Sequence, residues 1–299
     1  MKQFILKILI LSFIGLGAVF FSVQQNPELF RDINYSKFKA KHKSLIIGTS
    51  RANFAIDPSA FDAKYDLLNF AFTGATSPYG EVYYNAIEEK ITKEKDAIFI
   101  LDIDPFALSV DKSKGNFNEE KNSLGRQKII NTNPNFEYIF KNETPLYDKL
   151  FPVMESNKVK FENGFTQLNN NYTSDQEMNM RKLKIEEYKR LAQRNALSKE
   201  RMMYFEKTIE YLIQYGNVYL ISVPISPEIF AIQEKYWPQK YQYIESLKKK
   251  YKVKYINLQI DFPNPKTIDH VHLELEEAQK VSTFLSKKVD SLEHKIAVK

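Results

Sequence analysis

The stretch Ser44-Leu45-Ile46-Ile47-Gly48-Thr49-Ser50-Arg51 decides the fold. An apolar run of strand length ends abruptly in Gly-Thr-Ser, the pattern of a buried parallel strand whose last residues turn sharply into a loop or helix. In open α/β sheets, ligands and reactive groups collect at the C-terminal ends of strands. Gly48 gives the backbone freedom to turn there, which places Ser50 at the rim of the sheet with its hydroxyl exposed. Serine is also a preferred helix N-cap, so a polar capping turn is the other reading of the same residues.

Working outward, the same alternation repeats. Residues 66–71 read as a second strand, followed by the dense turn signal Thr73-Gly74-Ala75-Thr76-Ser77-Pro78. Residues 81–91 have helical spacing. Residues 97–103 form a third buried strand, stopped by Asp104-Pro105. Residues 217–223 and 252–258 supply strands four and five, and 274–292 a closing helix. Strand alternating with helix predicts a central parallel sheet of about five strands. Two segments interrupt the pattern. Residues 109–175 are rich in Asn, Lys and Glu, carry Pro134, Pro145 and Pro152, and read as an insertion or lid with short helices. Residues 176–215 read as strongly helical, and 227–250 as helical with a break near Pro238. No internal repeat or low-complexity tract is present.

The amino terminus has a different character. Residues 8–23 are uncharged and nearly all apolar. Phe4, Ile5 and Leu6 extend the run past Lys7 to about the length needed to span a bilayer. Lys2 and Lys7 favour that end in the cytoplasm. Ser22-Val23-Gln24-Gln25 lacks a small-x-small cleavage pair, which favours an uncleaved signal anchor over a cleaved signal peptide. The expected organisation is an anchor at 1–25, a polar connector at 26–43, and a domain at 44–299 lying outside the cytoplasmic membrane, periplasmic or at the cell surface.

Composition narrows the chemistry. The 299 residues are 43% hydrophobic, enough for a substantial core. The net charge of +6 is scattered, so nucleic acid is not indicated; a basic surface facing an anionic glycan or a membrane fits as well. Cysteine is absent, which removes disulfides, cysteine metal sites and a cysteine nucleophile. No cofactor is called for.

A serine nucleophile needs a base, and the base an orienting acid. Of the four histidines, His42 falls on the connector and His294 in the tail. His270 and His272 lie in Ile268-Asp269-His270-Val271-His272-Leu273, a second strand-to-helix junction at the same rim. Asp269 and His272 are three apart, so one turn can bring the carboxylate under the imidazole. Two other readings stand beside this one: Asp269 as an N-cap with both histidines on the surface, and a metal held by the histidine pair, for which further ligands are not obvious nearby.

Taken together, these blocks resemble the SGNH (GDSL-like) hydrolase superfamily, whose fold is a three-layer α/β/α sandwich with a flavodoxin-like central sheet. Gly48-Thr49-Ser50 matches its Gly-Asp-Ser block and implies Ser50 as nucleophile, with the Ser50 amide as an oxyanion donor. Asn69-Phe70-Ala71-Phe72-Thr73-Gly74-Ala75-Thr76 matches Asn-x-x-x-x-Gly-x-Thr and implies the Gly74 amide as a second donor. Asp269-His270-Val271-His272 matches Asp-x-x-His and implies His272 as base and Asp269 as orienting acid; His270 carries no family role. The resemblance covers about residues 44–286, except the insertion. One departure stands out. The family's Gly-x-Asn block, whose side-chain amide donates to the oxyanion, is replaced by Leu101-Asp102-Ile103-Asp104-Pro105. An ionised Asp cannot donate, and losing one such donor costs about 3 kcal/mol of transition-state stabilisation. Arg51 is a candidate for the missing positive potential and a substrate contact; the alternative is a salt bridge with Asp102 or Asp104.

With an anchor, the chain resembles the membrane-anchored branch that includes the D-alanyl transfer protein of teichoic acid modification and the alginate O-acetylation proteins. That resemblance implies an acyl donor, a glycan acceptor and a multipass membrane O-acyltransferase as partner. Three functions are expected in turn: an O-acyltransferase or acyl relay for envelope polysaccharide, an esterase, or a non-catalytic glycan-binding scaffold.

Overall fold

The computed structural model describes residues 1–25, 34–113, 124–133, 135–141, 158–160, 163–168 and 172–297. In chain order, α1 (Lys2–Gln25) precedes a short 3-10 turn, Tyr35–Phe38, and then β1 (Ser44–Ile47), α2 (Ser50–Ala55), β2 (Leu67–Asn69), α3 (Glu81–Lys90) and β3 (Ala97–Asp102). The middle of the chain holds β4 (Ser109–Asp111), α4 (Phe136–Lys141), β5 (Lys158–Lys160), β6 (Thr166–Leu168), α5 (Ser174–Arg194), β7 (Asn195–Leu197) and α6 (Lys199–Leu212). It closes with β8 (Gly216–Ser222), α7 (Pro227–Tyr236), α8 (Lys240–Tyr251), β9 (Lys254–Asn257), α9 (Leu258–Asp261) and α10 (Leu275–Ala297).

Five strands form one parallel sheet in the order β2-β1-β3-β8-β9. The register pairs Leu45 with Leu68 on one side and with Phe99 on the other. Parallel strands are covered on both faces, so their residues alternate between two cores rather than between core and water. Leu45, Ile47, Phe99, Leu101, Val218 and Leu220 face α3, α6 and α8, meeting Tyr83, Ile87, Phe205, Ile209, Ile244 and Leu247. Ile46, Ile98, Ile100, Tyr219 and Ile221 face α2 and α10. Helix α10 presents Ala278, Val281, Leu285 and Val289 to that core, a three-and-four spacing that lines one helical face. The strand order reverses between β1 and β3, and that switch point is where such sheets bind ligands.

Two expectations change. The connector read at 26–43 is not wholly solvated: Tyr35 and Phe38 are buried in the core, and the buried Lys37 ammonium bonds Asn53 Oδ1 at 2.9 Å and the Ala71 carbonyl. A polar-looking sequence hides two aromatic anchors there. Residues 176–215 are not one helix. After α5 the chain extends as β7, pairs antiparallel with β4, and restarts α6 with the Ser198 side chain capping the Arg201 amide. Within 109–175, the described part contains β4, the single helix α4 and the β5–β6 hairpin; Pro134, Pro145 and Pro152 lie outside the described residues.

At the amino terminus α1 exposes large apolar side chains, among them Phe4, Leu11, Phe13 and Leu16. Among the described residues no helix is long and apolar enough to cross a membrane.

Candidate active site

Gly48 follows β1 where the chain passes close to β3 and α2. A side-chain carbon there would stand 2.9 Å from Asp102 Cβ and 3.0 Å from Ala52 Cβ, so only glycine lets the turn pass β3. The turn is held from both polar ends. The Gly48 amide donates to the Tyr83 hydroxyl at 3.1 Å, and the Gly48 carbonyl accepts from Ser77 Oγ at 2.8 Å. Thr49 is the N-cap residue of α2, and Ser50 is its first helical residue.

The second junction lies between β9 and α10. Asp269 Oδ1 accepts the amides of Val271 at 3.1 Å and His272 at 2.9 Å, an Asx-type turn that folds the segment back on itself. Asp269 Oδ2 meets His272 Nδ1 at 2.9 Å, and His272 Nε2 meets Ser50 Oγ at 2.9 Å. Residues 222 positions apart thus form one hydrogen-bonded line of hydroxyl, imidazole and carboxylate. The Phe54 ring packs edge-on against the imidazole, centroids 4.9 Å apart, which fixes its plane. Burial pushes the Asp269 carboxyl up. The hydrogen bonds from the His272 ring and amide, with Lys184 Nζ at 3.8 Å, outweigh that and hold it well below the usual carboxylate range. An acid kept ionised in this way can orient an imidazole and steady its protonated form.

Asn69 explains its own place in the second block. Its buried side-chain amide donates to the carbonyls of Ala52 and Ile56 and accepts the amide of Ala71, tying the end of α2 to the loop that carries Gly74. The Thr76 and Ser77 amides turn back on the Thr73 carbonyl at 2.9 and 3.0 Å. The Gly74 amide has no acceptor among the described residues. Ser50, Gly74, Asp104, Phe106, Tyr188 and His272 line a common cavity of about 460 Å³.

The Asp-x-Asp that replaces the expected amide donor is built into the interior. Asp104 Oδ2 accepts from Thr49 Oγ1 at 3.1 Å; Oδ1 accepts from the Phe106 amide at 2.9 Å and faces Arg51 Nη1 at 3.4 Å. Arg51 is 2% exposed and donates through Nη2 to the Val223 carbonyl at 2.8 Å, with Gln233 Oε1 3.4 Å from Nη1. The guanidinium thus forms the ion pair with Asp104 that the sequence offers as the alternative reading, while Arg51 also lines the cavity that holds Ser50 and His272. Burial works against its charge, but Asp102 and Asp104 together hold it above its ordinary value. Asp102 accepts the Val223 amide through Oδ1 and leaves Oδ2 unpartnered. Burial first, and Asp104 beside it, push its carboxyl up to about 6 against the pull of Arg51.

No protein-family model matches the chain, and no curated protein matches it. The site therefore speaks through its geometry alone.

The other histidines fall elsewhere. His42 Nδ1 meets Asp66 Oδ1 at 2.9 Å, and His294 is exposed on α10. His270 stands beside Glu228 at 3.5 Å, with its carbonyl accepting the Ser226 amide. Among the described residues no three His, Asp or Glu side chains converge as a metal-ligand group. Lys184 and Phe54, which bracket the Asp269–His272 pair, carried no motif signal, because a lysine on an amphipathic helix and a phenylalanine in a short one look like surface and core.

Proposed function

We propose that the protein is a serine acyl transferase or acyl relay of the SGNH type, anchored in the cytoplasmic membrane and acting outside it on cell-envelope polysaccharide. The observation that carries the reading is the Ser50–His272–Asp269 line, with both contacts at 2.9 Å, in one cavity with the unpartnered Gly74 amide. A hydroxyl hydrogen-bonded to an imidazole that an ionised carboxylate orients is the arrangement that activates serine.

The steps follow from these atoms. Ser50 Oγ attacks the acyl carbonyl carbon and its proton passes to His272 Nε2. The carbonyl oxygen becomes an oxyanion facing the amides of Ser50 and Gly74. As the tetrahedral adduct collapses, His272 returns the proton to the departing alcohol oxygen and the acyl group stays on Ser50. A glycan hydroxyl then gives its proton to His272 as it attacks the acyl carbon; the Oγ–acyl bond breaks, His272 returns the proton to Ser50 Oγ, and the glycan ester leaves. Asp269 accepts from Nδ1 throughout and stays ionised.

The anchor and the location rest on α1. Its exposed apolar side chains meet little protein beyond a Phe20–Phe136 ring contact at 6.2 Å, and Lys2 and Lys7 sit at its front. A multipass O-acyltransferase that hands over the acyl group is the partner this reading calls for.

Hydrolysis is the second reading, favoured by the half-exposed Ser50 in an open cavity, since water reaching the acyl-serine gives an esterase. Incubation with an activated acetyl ester, with and without an oligosaccharide, separates the two. Acetylated oligosaccharide supports transfer, free acetate alone supports the esterase, and no turnover at all removes both.

A further inference from the structure

The catalytic cavity has a neighbour. A groove of about 740 Å³ lies between α5, β7 and α7, within the size range of small-molecule sites. Its apolar part is made by Ala192, Ala196, Leu197, Ile232 and the ring of Tyr236, and Lys112, Lys189 and Lys235 surround it. No carboxylate lines it. Lys112 Nζ donates to the Gln193 carbonyl at 2.9 Å, and Lys189 pairs with Glu186 at 2.8 Å; Lys235 meets no carboxylate within 4.0 Å among the described residues.

Asn195 lines both this groove and the catalytic cavity. Its amide oxygen is out of contact with water and has no partner, a state that costs free energy unless a donor arrives. The shared boundary is rigid. Tyr236 stacks on Phe106, centroids 4.9 Å apart, and its hydroxyl meets Ser109 Oγ at 2.8 Å, while Phe106 packs edge-on against Tyr188. Phe106, Ser109 and Tyr188 themselves line the catalytic cavity. A molecule seated in the groove therefore abuts the wall of the site that holds Ser50.

We propose that this groove is a binding site for a small anionic amphiphile, one carboxylate or phosphate head on an apolar body, with the apolar body on the Leu197–Ile232–Tyr236 surface and the head beside Lys235 and its neighbouring lysines. The chemistry follows from the lining: no carboxylate lines the groove, and Lys235 meets none within 4.0 Å among the described residues, which favours an anion there, and an apolar floor selects a body that prefers to leave water. The assignment stands on the groove itself; only its link to acyl transfer rests on the function proposed above.

The test uses the full chain carrying Ser50→Ala, reconstituted in nanodiscs of neutral lipid, so that binding is read without turnover. Hexyl phosphate and hexanoate, short enough to remain in water, are titrated by ligand-observed NMR beside hexanol and hexyltrimethylammonium. Both anions are expected to bind, with the alcohol and the cation at least tenfold weaker. The charge reversal Lys112→Glu/Lys235→Glu is expected to weaken the anions at least tenfold, and Ala196→Phe, which fills the floor, to weaken them without a change of charge. Unchanged melting temperatures establish that these variants fold. Equal binding by all four probes, undiminished binding to both variants, or binding seen only with anionic lipid vesicles overturns the proposal. Binding by a protein in which wild-type Ser50 proves inert retains the groove and removes only its link to acyl transfer.

Discussion

Arg51 and Asp104 form an interior ion pair beside Ser50, Nη1 to Oδ1 3.4 Å, with both side chains at least 94% buried. The same carboxylate holds Thr49 Oγ1, so a single acid grips the residues on either side of Ser50. Breaking a buried pair by removing one partner strands the other charge and costs about 3–5 kcal/mol. Asp104→Ala is expected to cost that much in urea unfolding, and Arg51→Met/Asp104→Leu clearly less than the sum of its single variants. Additive costs would show that the two groups do not depend on each other.

Asp102 gives a pH dependence of defined sign. Burial pushes its folded carboxyl up to about 6, above the ordinary carboxylate value, so the folded state binds this proton more tightly than the unfolded chain. Stability from this group is therefore present at low pH, declines as pH rises from about 4 through 6, and is absent above. Asp102→Asn keeps an acceptor for the Val223 amide and removes the charge. Relative to wild type, it is expected to gain stability progressively across that window, by up to about 3 kcal/mol at pH 8. Chemical unfolding at pH 4 and pH 8 checks this. A variant equally destabilised at both values would contradict it.

Gly48→Ala places a methyl within 3.0 Å of both Asp102 Cβ and Ala52 Cβ. Both contacts are to atoms attached directly to backbone, so relief must come from the turn. Overpacking of this kind costs about 1–3 kcal/mol, and the displaced turn carries Ser50. The expected result is a modest fall in melting temperature with a disproportionate fall in kcat; a stable variant of full activity would mean the turn has room.

Asp269→Asn leaves a similar shape but no negative charge beneath the imidazole, and an amide facing Nδ1 favours the wrong tautomer. In serine triads that change lowers kcat by about 10⁴. Ester turnover is expected to fall by a comparable factor with the fold retained, as read by circular dichroism. A loss below tenfold would remove Asp269 from the relay.

The sheet was legible because buried parallel strands are continuous apolar runs and their ends are marked by Gly48, Asp104-Pro105 and Pro224. The junctions were legible because Ser50 follows Gly48 directly past a strand end, and Asp269 and His272 stand together just before the closing helix, in residue types whose chemistry is restrictive. What escaped was decided by tertiary contact. Asn195-Ala196-Leu197 lies between two strong helix formers and extends only because Ser109–Asp111 pairs with it. Tyr35 and Phe38 sit in a polar stretch and are recognisable as core only once Tyr138 and Phe72 are packed against Phe38. The Asp104 partner of Arg51 was among the readings the sequence offers, but its contacts with Val223 and Gln233 lie more than 170 residues downstream, a distance no local pattern spans.

The most direct measurement is covalent labelling of the folded protein by a fluorophosphonate, followed by intact-mass and peptide mass spectrometry. One adduct is expected, on Ser50, absent from Ser50→Ala and formed at least a hundredfold more slowly in His272→Ala. No adduct on folded wild-type protein, or an adduct at Ser50 that forms equally fast without the His272 imidazole, would contradict the proposal that this hydroxyl is driven by that base.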